Sequence, residues 1–145
     1  MDECVFCDII AGRGEATIVF RDEQCVVVMD RRPINAGHVL IVPMRHADGL
    51  TDLDPEIGKS MFVMAQRVAE AMHRAGIRAD GITLLMDDGD AAGQEVFHVH
   101  LHVIPRYQDD GFGFTFPPNY GRLPPRDELE ARGAQIKRAL TTAGR

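Results

Sequence analysis

The sequence predicts an α+β fold built on a five-stranded, mainly antiparallel sheet, and three observations carry that reading. Two runs rich in β-branched residues flank a three-residue polar break near the N-terminus. A long segment in the middle of the chain has apolar residues at helical spacing. Two further apolar runs follow it before residue 105.

Each element has a local reason. Residues Thr17 to Arg21 and Cys25 to Met29, separated by Asp22-Glu23-Gln24, have the pattern of two strands joined by a short hairpin. The turn formers Pro33, Asn35 and Gly37 make a loop, and Val39-Leu40-Ile41-Val42 then reads as a buried strand stopped by Pro43. Asp54 suits an N-cap, Pro55 the first helical position and Glu56 an early acid. Ile57, Met61, Met64, Val68 and Met72 follow at spacings of 4, 3, 4 and 4, so this is an amphipathic helix ending near Gly76. Ile82 to Met86 is the fourth strand and Val96 to Ile104 the fifth. Leu129, Ile136 and Leu140 imply a last helix, within which Gly133 costs about 1 kcal/mol relative to alanine.

At 145 residues the chain suits a single domain spanning residues 1–145, with a core over about 4–106 and a C-terminal extension over about 107–145. A 45% hydrophobic and 26% charged composition excludes disordered, collagenous and fibrous classes. No apolar run approaches the ~18 to 20 residues needed to cross a bilayer, and acids in Met1-Asp2-Glu3-Cys4 stand where a signal peptide has bases. A cytoplasmic protein with no membrane partner is expected. Sixteen Lys and Arg against 22 Asp and Glu give a net charge of −6, which disfavours nucleic acid and anionic membranes as partners. Three cysteines are too few for a disulfide framework, and the Cys4-x-x-Cys7 spacing raises metal or redox chemistry instead.

Half of the six histidines fall within five residues, in Val96-Phe97-His98-Val99-His100-Leu101-His102-Val103-Ile104. In a strand, His98, His100 and His102 project to one face and Val99, Leu101 and Val103 to the other, with adjacent histidine Cα atoms about 6.5 to 7 Å apart. Three imidazoles in line suit a metal, or a site surrounding one phosphorus atom. A merely solvated face would draw on Lys, Glu, Thr and Ser, whereas clustered histidine suits proton transfer, nucleophilic attack or metal ligation. Immediately upstream, Ala92-Gly93-Gln94-Glu95 is a small turn whose backbone N–H groups are placed to face an anion, as a nest does.

His98-Val99-His100-Leu101-His102-Val103-Ile104 resembles the signature of the histidine triad (HIT) family. So do Cys4-Val5-Phe6-Cys7-Asp8-Ile9-Ile10-Ala11-Gly12, Pro33 to Pro43 and Ala92 to Phe97, which together cover roughly residues 4–106. The resemblance, nearest to bacterial Hint-like nucleotide hydrolases, implies a HIT-like fold. Such a fold has the five-stranded sheet, the long central helix, a short N-terminal helix and a C-terminal helix, usually as a homodimer. It implies an enzyme that transfers or hydrolyses nucleoside monophosphate groups, with a purine nucleoside monophosphate derivative as substrate and no organic cofactor.

Carried over residue by residue, His100 is the nucleophile, His98 orients its neighbourhood, His102 bonds the phosphate and His38 supports the nucleophile. Attack by a neutral imidazole on the α-phosphorus gives a nucleotidyl-histidine that water then hydrolyses. Asp30 matches the ribose clamp, its plainer role being a loop acid that caps the next turn. Phe6 and Ile9, with Val28, match the walls of the base site, though such residues are commonly core. Gln94 and Glu95 fall beside the phosphate and leaving group. Two positions depart from the family pattern. Asp87, in the acidic run Met86-Asp87-Asp88-Gly89-Asp90, stands where an amide is usual, and Glu95 where some members carry a hydroxyl. Unpaired carboxylates repel a phosphate, so Asp87 turns away, is compensated, or selects a less anionic substrate.

Some relatives bind structural zinc through the positions here occupied by Cys4, Cys7, His46 and His98, and the Cys pair has zinc-knuckle spacing. Alternatives to a phosphoramidase-like nucleotidyl hydrolase are a dinucleoside polyphosphate hydrolase, a catalytic zinc hydrolase using the three triad histidines, and a nucleotide-binding scaffold with weak catalysis. The aromatic and proline-rich stretch Phe112 to Pro118 is expected to cover the site or a partner's edge, or to pack against its own domain.

Overall fold

A computed structural model describes residues 3–142. Its elements are α1 (Val5–Ile10), β1 (Ile18–Arg21), β2 (Cys25–Met29), β3 (Val39–Pro43), α2 (Pro55–Arg74), β4 (Gly81–Leu85), β5 (Leu101–Arg106) and α3 (Arg126–Thr142). The five strands form one sheet in the order β1-β2-β3-β5-β4, with every neighbouring pair antiparallel.

The central strands are buried on both faces, and their pleat sorts the core into two clusters. Val27, Val39, Ile41 and Val103 face α2, which contributes Met61, Met64, Ala65 and Met72. Val26, Val28, Leu40 and Val42 face the other way and receive Phe6 and Ile9 from α1. The register aligns Val28 with Leu40 and Leu40 with His102, so the α1 face is also the histidine face.

Helix α2 forms as its sequence dictates. Asp54 accepts from the Glu56 N–H at 2.8 Å, Pro55 fills the first helical position, and the helix ends before Gly76, whose φ of +73° is left-handed. Met61, Met64 and Met72 are its buried residues together with Ala65, each methionine stabilising the fold by roughly 1.5 to 3 kcal/mol. The short α1 starts at Cys4, whose Sγ accepts from the Cys7 N–H at 3.4 Å.

Strand β5 begins at Leu101, five residues later than the sequence suggests. The cause is Pro43. Pairing of β3 with β5 stops at Ile41 opposite Leu101, because Pro43 has no N–H to donate and its carbonyl accepts instead from the His98 ring. Val99 N–H bonds the Ala47 carbonyl at 2.8 Å, beyond the ladder. Residues 96–100 therefore alternate like a strand without being one, and His98 and Val99 are both fully buried.

The chain divides into two compact units, one through Phe112 and the other from Gly113. The first holds the sheet, α1 and α2. In the second, α3 follows an aromatic segment in which Phe116 stacks on Tyr120 at 3.9 Å. Leu129, Ile136 and Leu140 of α3 are exposed, as are Phe114 and Phe116. Among the described residues no helix is long and apolar enough to cross a membrane.

Candidate active site and metal centre

Four predicted ligands converge at the open end of β3. Cys4 Sγ lies 3.3 Å and Cys7 Sγ 3.6 Å from His98 Nδ1, Cys7 Sγ 3.4 Å from His46 Nδ1, and the two histidine Nδ1 atoms are 3.2 Å apart. Zinc, with bonds of about 2.0 to 2.1 Å to nitrogen and about 2.3 Å to sulfur, has tetrahedral edges of roughly 3.3 Å between nitrogens and roughly 3.6 Å between nitrogen and sulfur. The observed edges match. The tautomers also match: His98 Nε2–H donates to the Pro43 carbonyl at 2.8 Å and His46 Nε2–H to Asp48 Oδ1 at 2.7 Å, leaving both Nδ1 lone pairs on the cluster. Burial, with the opposing Cys4, raises the Cys7 thiol above its usual range, and burial lowers His98, so at neutral pH this ring is a neutral ligand.

The remaining histidines form a hydrogen-bond relay. The Ile34 N–H donates to His38 Nδ1 at 3.0 Å, which puts the His38 proton on Nε2. That Nε2–H faces His102 Nδ1 at 2.9 Å and Asp30 Oδ2 at 3.4 Å. His102 consequently carries its own proton on Nε2. His100 Nδ1–H donates to the His98 carbonyl at 2.8 Å, leaving the His100 Nε2 lone pair as the reactive atom. His100 and His102 ring centres are 5.0 Å apart, and the Phe6 ring meets His100 edge-on at 5.0 Å.

Asp30, His38 and His102 also stand within metal-ligand reach of one another. They are not suited to hold an ion, because the Ile34 N–H occupies His38 Nδ1 and the proton forced onto Nε2 removes the lone pair a metal needs. The predicted three-histidine metal does not arise either: His98 turns its free nitrogen to the cysteines, and His100 Nδ1 is bonded to backbone. Burial lowers His38, and lowers His102 to about 4, the latter helped by His100 and His38 and opposed by the Asp30 and Asp87 carboxylates. Both rings are neutral at pH 7.

Several expectations change at the side-chain level. Asp30 caps the Arg32 N–H with Oδ1 at 2.8 Å while its other oxygen faces the relay, so it combines the cap and a site role. Phe6, Ile9 and Val28 are core residues of the α1 face, and Phe6 doubles as a wall against His100. The Gln94 amide is buried and committed to backbone, accepting from Gly89 N–H and donating to the Asp48 and Val96 carbonyls. It holds the loop rather than offering itself to a substrate. In the turn expected to form an anion nest, the N–H groups of Ala92, Gly93 and Gln94 bond carbonyls of Gly89 and Asp90, so three of its four N–H groups are committed to the turn itself. Glu95 is exposed and pairs with Arg32 at 2.9 Å. Asp87 lies near enough to His102 to act on its charge.

Sequence reasoning missed Asp48, Asn35 and Asp110. Asp48, two residues after a predicted ligand, had a usable signal: metal-bound histidines commonly bond a carboxylate through the second ring nitrogen. Asn35 and Asp110 meet across 75 residues, and no local pattern announces that contact. A surface concavity of about 490 Å³ lined by Asp80, Arg106, Tyr107 and Phe112 contains none of the histidines.

Comparison with known proteins places this geometry. The HIT domain family model matches residues 12–109. An uncharacterized HIT-like protein of Mycobacterium tuberculosis (strain H37Rv) is 41% identical, covering 94% of this chain and 92% of its own length. The chain is 35% identical to an adenylylsulfatase of Arabidopsis thaliana, over 74% of this chain and 55% of that protein. A solved zinc-bound histidine triad family protein of Mycobacterium smegmatis shares 40% identity and superposes with a TM-score of 0.73, covering 94% of this chain and 96% of that one. A family match over more than half the chain and a relative this similar along nearly its whole length establish that the chain belongs to the HIT family.

Proposed function

We propose that the protein is a nucleotidyl hydrolase or transferase of the phosphoramidase type, cleaving P–N or P–O bonds at the α-phosphate of purine nucleoside monophosphate derivatives. The single observation that carries this is the His100 tautomer: its Nδ1–H is spent on the His98 carbonyl, so the neutral ring presents its lone pair at Nε2. His100 Nε2 bonds the α-phosphorus as the bond to the leaving group breaks, and that group takes a proton from solvent. Water then cleaves the nucleotidyl-histidine, returning His100. His102 Nε2–H donates to a phosphate oxygen as charge builds there, and Asp30 meets the ribose hydroxyls with the part of its carboxylate left exposed. The carboxylates of Asp30 and Asp87 near His102 favour leaving groups without further negative charge, which supports phosphoramidates over dinucleoside polyphosphates.

Zinc is proposed as a structural ion on Cys4, Cys7, His46 and His98, and when bound it cross-links α1 to the loop after β3. The Arabidopsis adenylylsulfatase and the zinc-bound Mycobacterium smegmatis protein are consistent with both assignments. The protein is proposed to be cytoplasmic and to form a homodimer. Phe62 and Val63 on α2 and Leu84 on the edge strand β4 are exposed apolar residues of the first unit. AMP release from adenosine 5′-phosphoramidate tests the function, with wild type and His100→Ala compared in EDTA. Turnover by wild type alone supports covalent histidine catalysis; equal rates for the two refute it.

A further inference from the structure

The relay depends on the loop between β2 and β3, and that loop has its own anchor. Asn35 accepts the His38 N–H through its carbonyl at 3.0 Å, next to Ile34, whose N–H sets the His38 tautomer. Both Asn35 Nδ2 hydrogens are used, one on the Pro105 carbonyl at 2.8 Å and one on Asp110 Oδ2 at 2.8 Å. Asp110 is 3% exposed at its side chain and is held by Arg106 Nε at 2.6 Å, Arg106 Nη2 at 2.9 Å and the backbone N–H groups of Tyr107 and Phe112. With Asn35 these donors fill the acceptor capacity of a carboxylate. The Arg106 guanidinium beside it holds the Asp110 carboxyl well below the usual carboxylate range. Asp110 also lies just past the span matched by the family model.

We propose that Asp110 is a positioning residue for catalysis, fixing Asn35 and through it the Ile34 N–H that selects the tautomers of His38 and His102. Arg106 fixes Asp110, Asp110 fixes Asn35, and the loop 34–38 can then offer Ile34 N–H to His38 Nδ1. Loosening Asn35 frees that N–H, lets the His38 proton move to Nδ1, and takes the donor proton of His102 away from the phosphate. The kinetic consequence rests on the hydrolase reading, whereas the tautomers do not.

The test is Asp110→Asn, which keeps the shape, replaces one of the two acceptor oxygens by a donor and removes the charge that holds Arg106. Asn35→Ser cuts the same tie while leaving the Asp110–Arg106 pair, and carries the test if Asp110→Asn does not fold. In ¹⁵N-histidine protein, long-range ¹H–¹⁵N correlation spectra are expected to show wild-type His38 protonated at Nε2. The folded variants are expected to show exchange between both tautomers. Their kcat on adenosine 5′-phosphoramidate is expected to fall by about tenfold or more with KM within about twofold. An unchanged His38 tautomer in a folded variant overturns the proposal, whether or not kcat falls. If wild type does not turn over, the hydrolase reading fails and the tautomer spectra alone decide this one.

Discussion

Lowering the pH should destabilise the protein through His102 specifically. The side chain is 18% exposed and its pKa is lowered to about 4, chiefly by burial. The unfolded chain returns it to about 6.5, so between these values the unfolded state binds more protons than the folded one. Stability from this ring is full above the unfolded value and is lost as pH falls through the folded value. The whole shift corresponds to about 3 kcal/mol, of which about 2 kcal/mol is lost between pH 7.5 and pH 5. Urea unfolding of wild type and His102→Gln at pH 7.5, 6 and 5, with zinc held constant, isolates it. His98 is present in both proteins, so the difference between the two slopes belongs to His102 and the His38 ring bonded to it. The wild type is expected to lose about 2 kcal/mol more than the variant across that range. Parallel slopes would refute the derivation, because they would mean that His102 meets water in the folded state much as in the unfolded one.

Untagged protein is expected to carry about one zinc per chain, and Cys7→Ser to lose most of it by elemental analysis. No metal in wild type sinks the assignment. Gly37→Ala should lower stability by about 1 to 3 kcal/mol in thermal or urea unfolding, since φ is +101° and the new Cβ would stand 2.7 Å from Ile77 Cγ2. An unchanged midpoint refutes this. Light scattering should return about twice the chain mass, and a single-chain mass would remove the proposed homodimer.

What the sequence reveals depends on how local the cause is. The start of α2 is legible because cap, proline and apolar spacing all lie within a few turns of each other. The shared face of the three histidines is legible because alternation is a property of an extended chain. The start of β5 is not, since hydrogen bonding ends at a proline almost 60 residues earlier. The four residues proposed to hold zinc are named by resemblance, and their convergence rests on side-chain contacts across 94 residues. Which nitrogen of each ring carries the proton lies further still from the sequence. It is set by Ile34 N–H, the Pro43 and His98 carbonyls and Asp48, partners that a residue pattern does not name. Gln94 shows the same limit: its chemistry suits a phosphate, yet backbone groups claim every hydrogen of its amide.

Pro43 sits near the middle of the sheet, where an ordinary residue would supply another rung. Its missing donor ends regular pairing at the point where the chain must change from a scaffold to a reactive surface. Past that point the main chain is released from its neighbour and its groups can address imidazoles instead. A residue with an N–H at 43 would lengthen the ladder and compete for the conformation that holds His98 in place. Economy in the sheet and reactivity in the rings are therefore in opposition here, and a single tertiary amide that cannot donate decides between them.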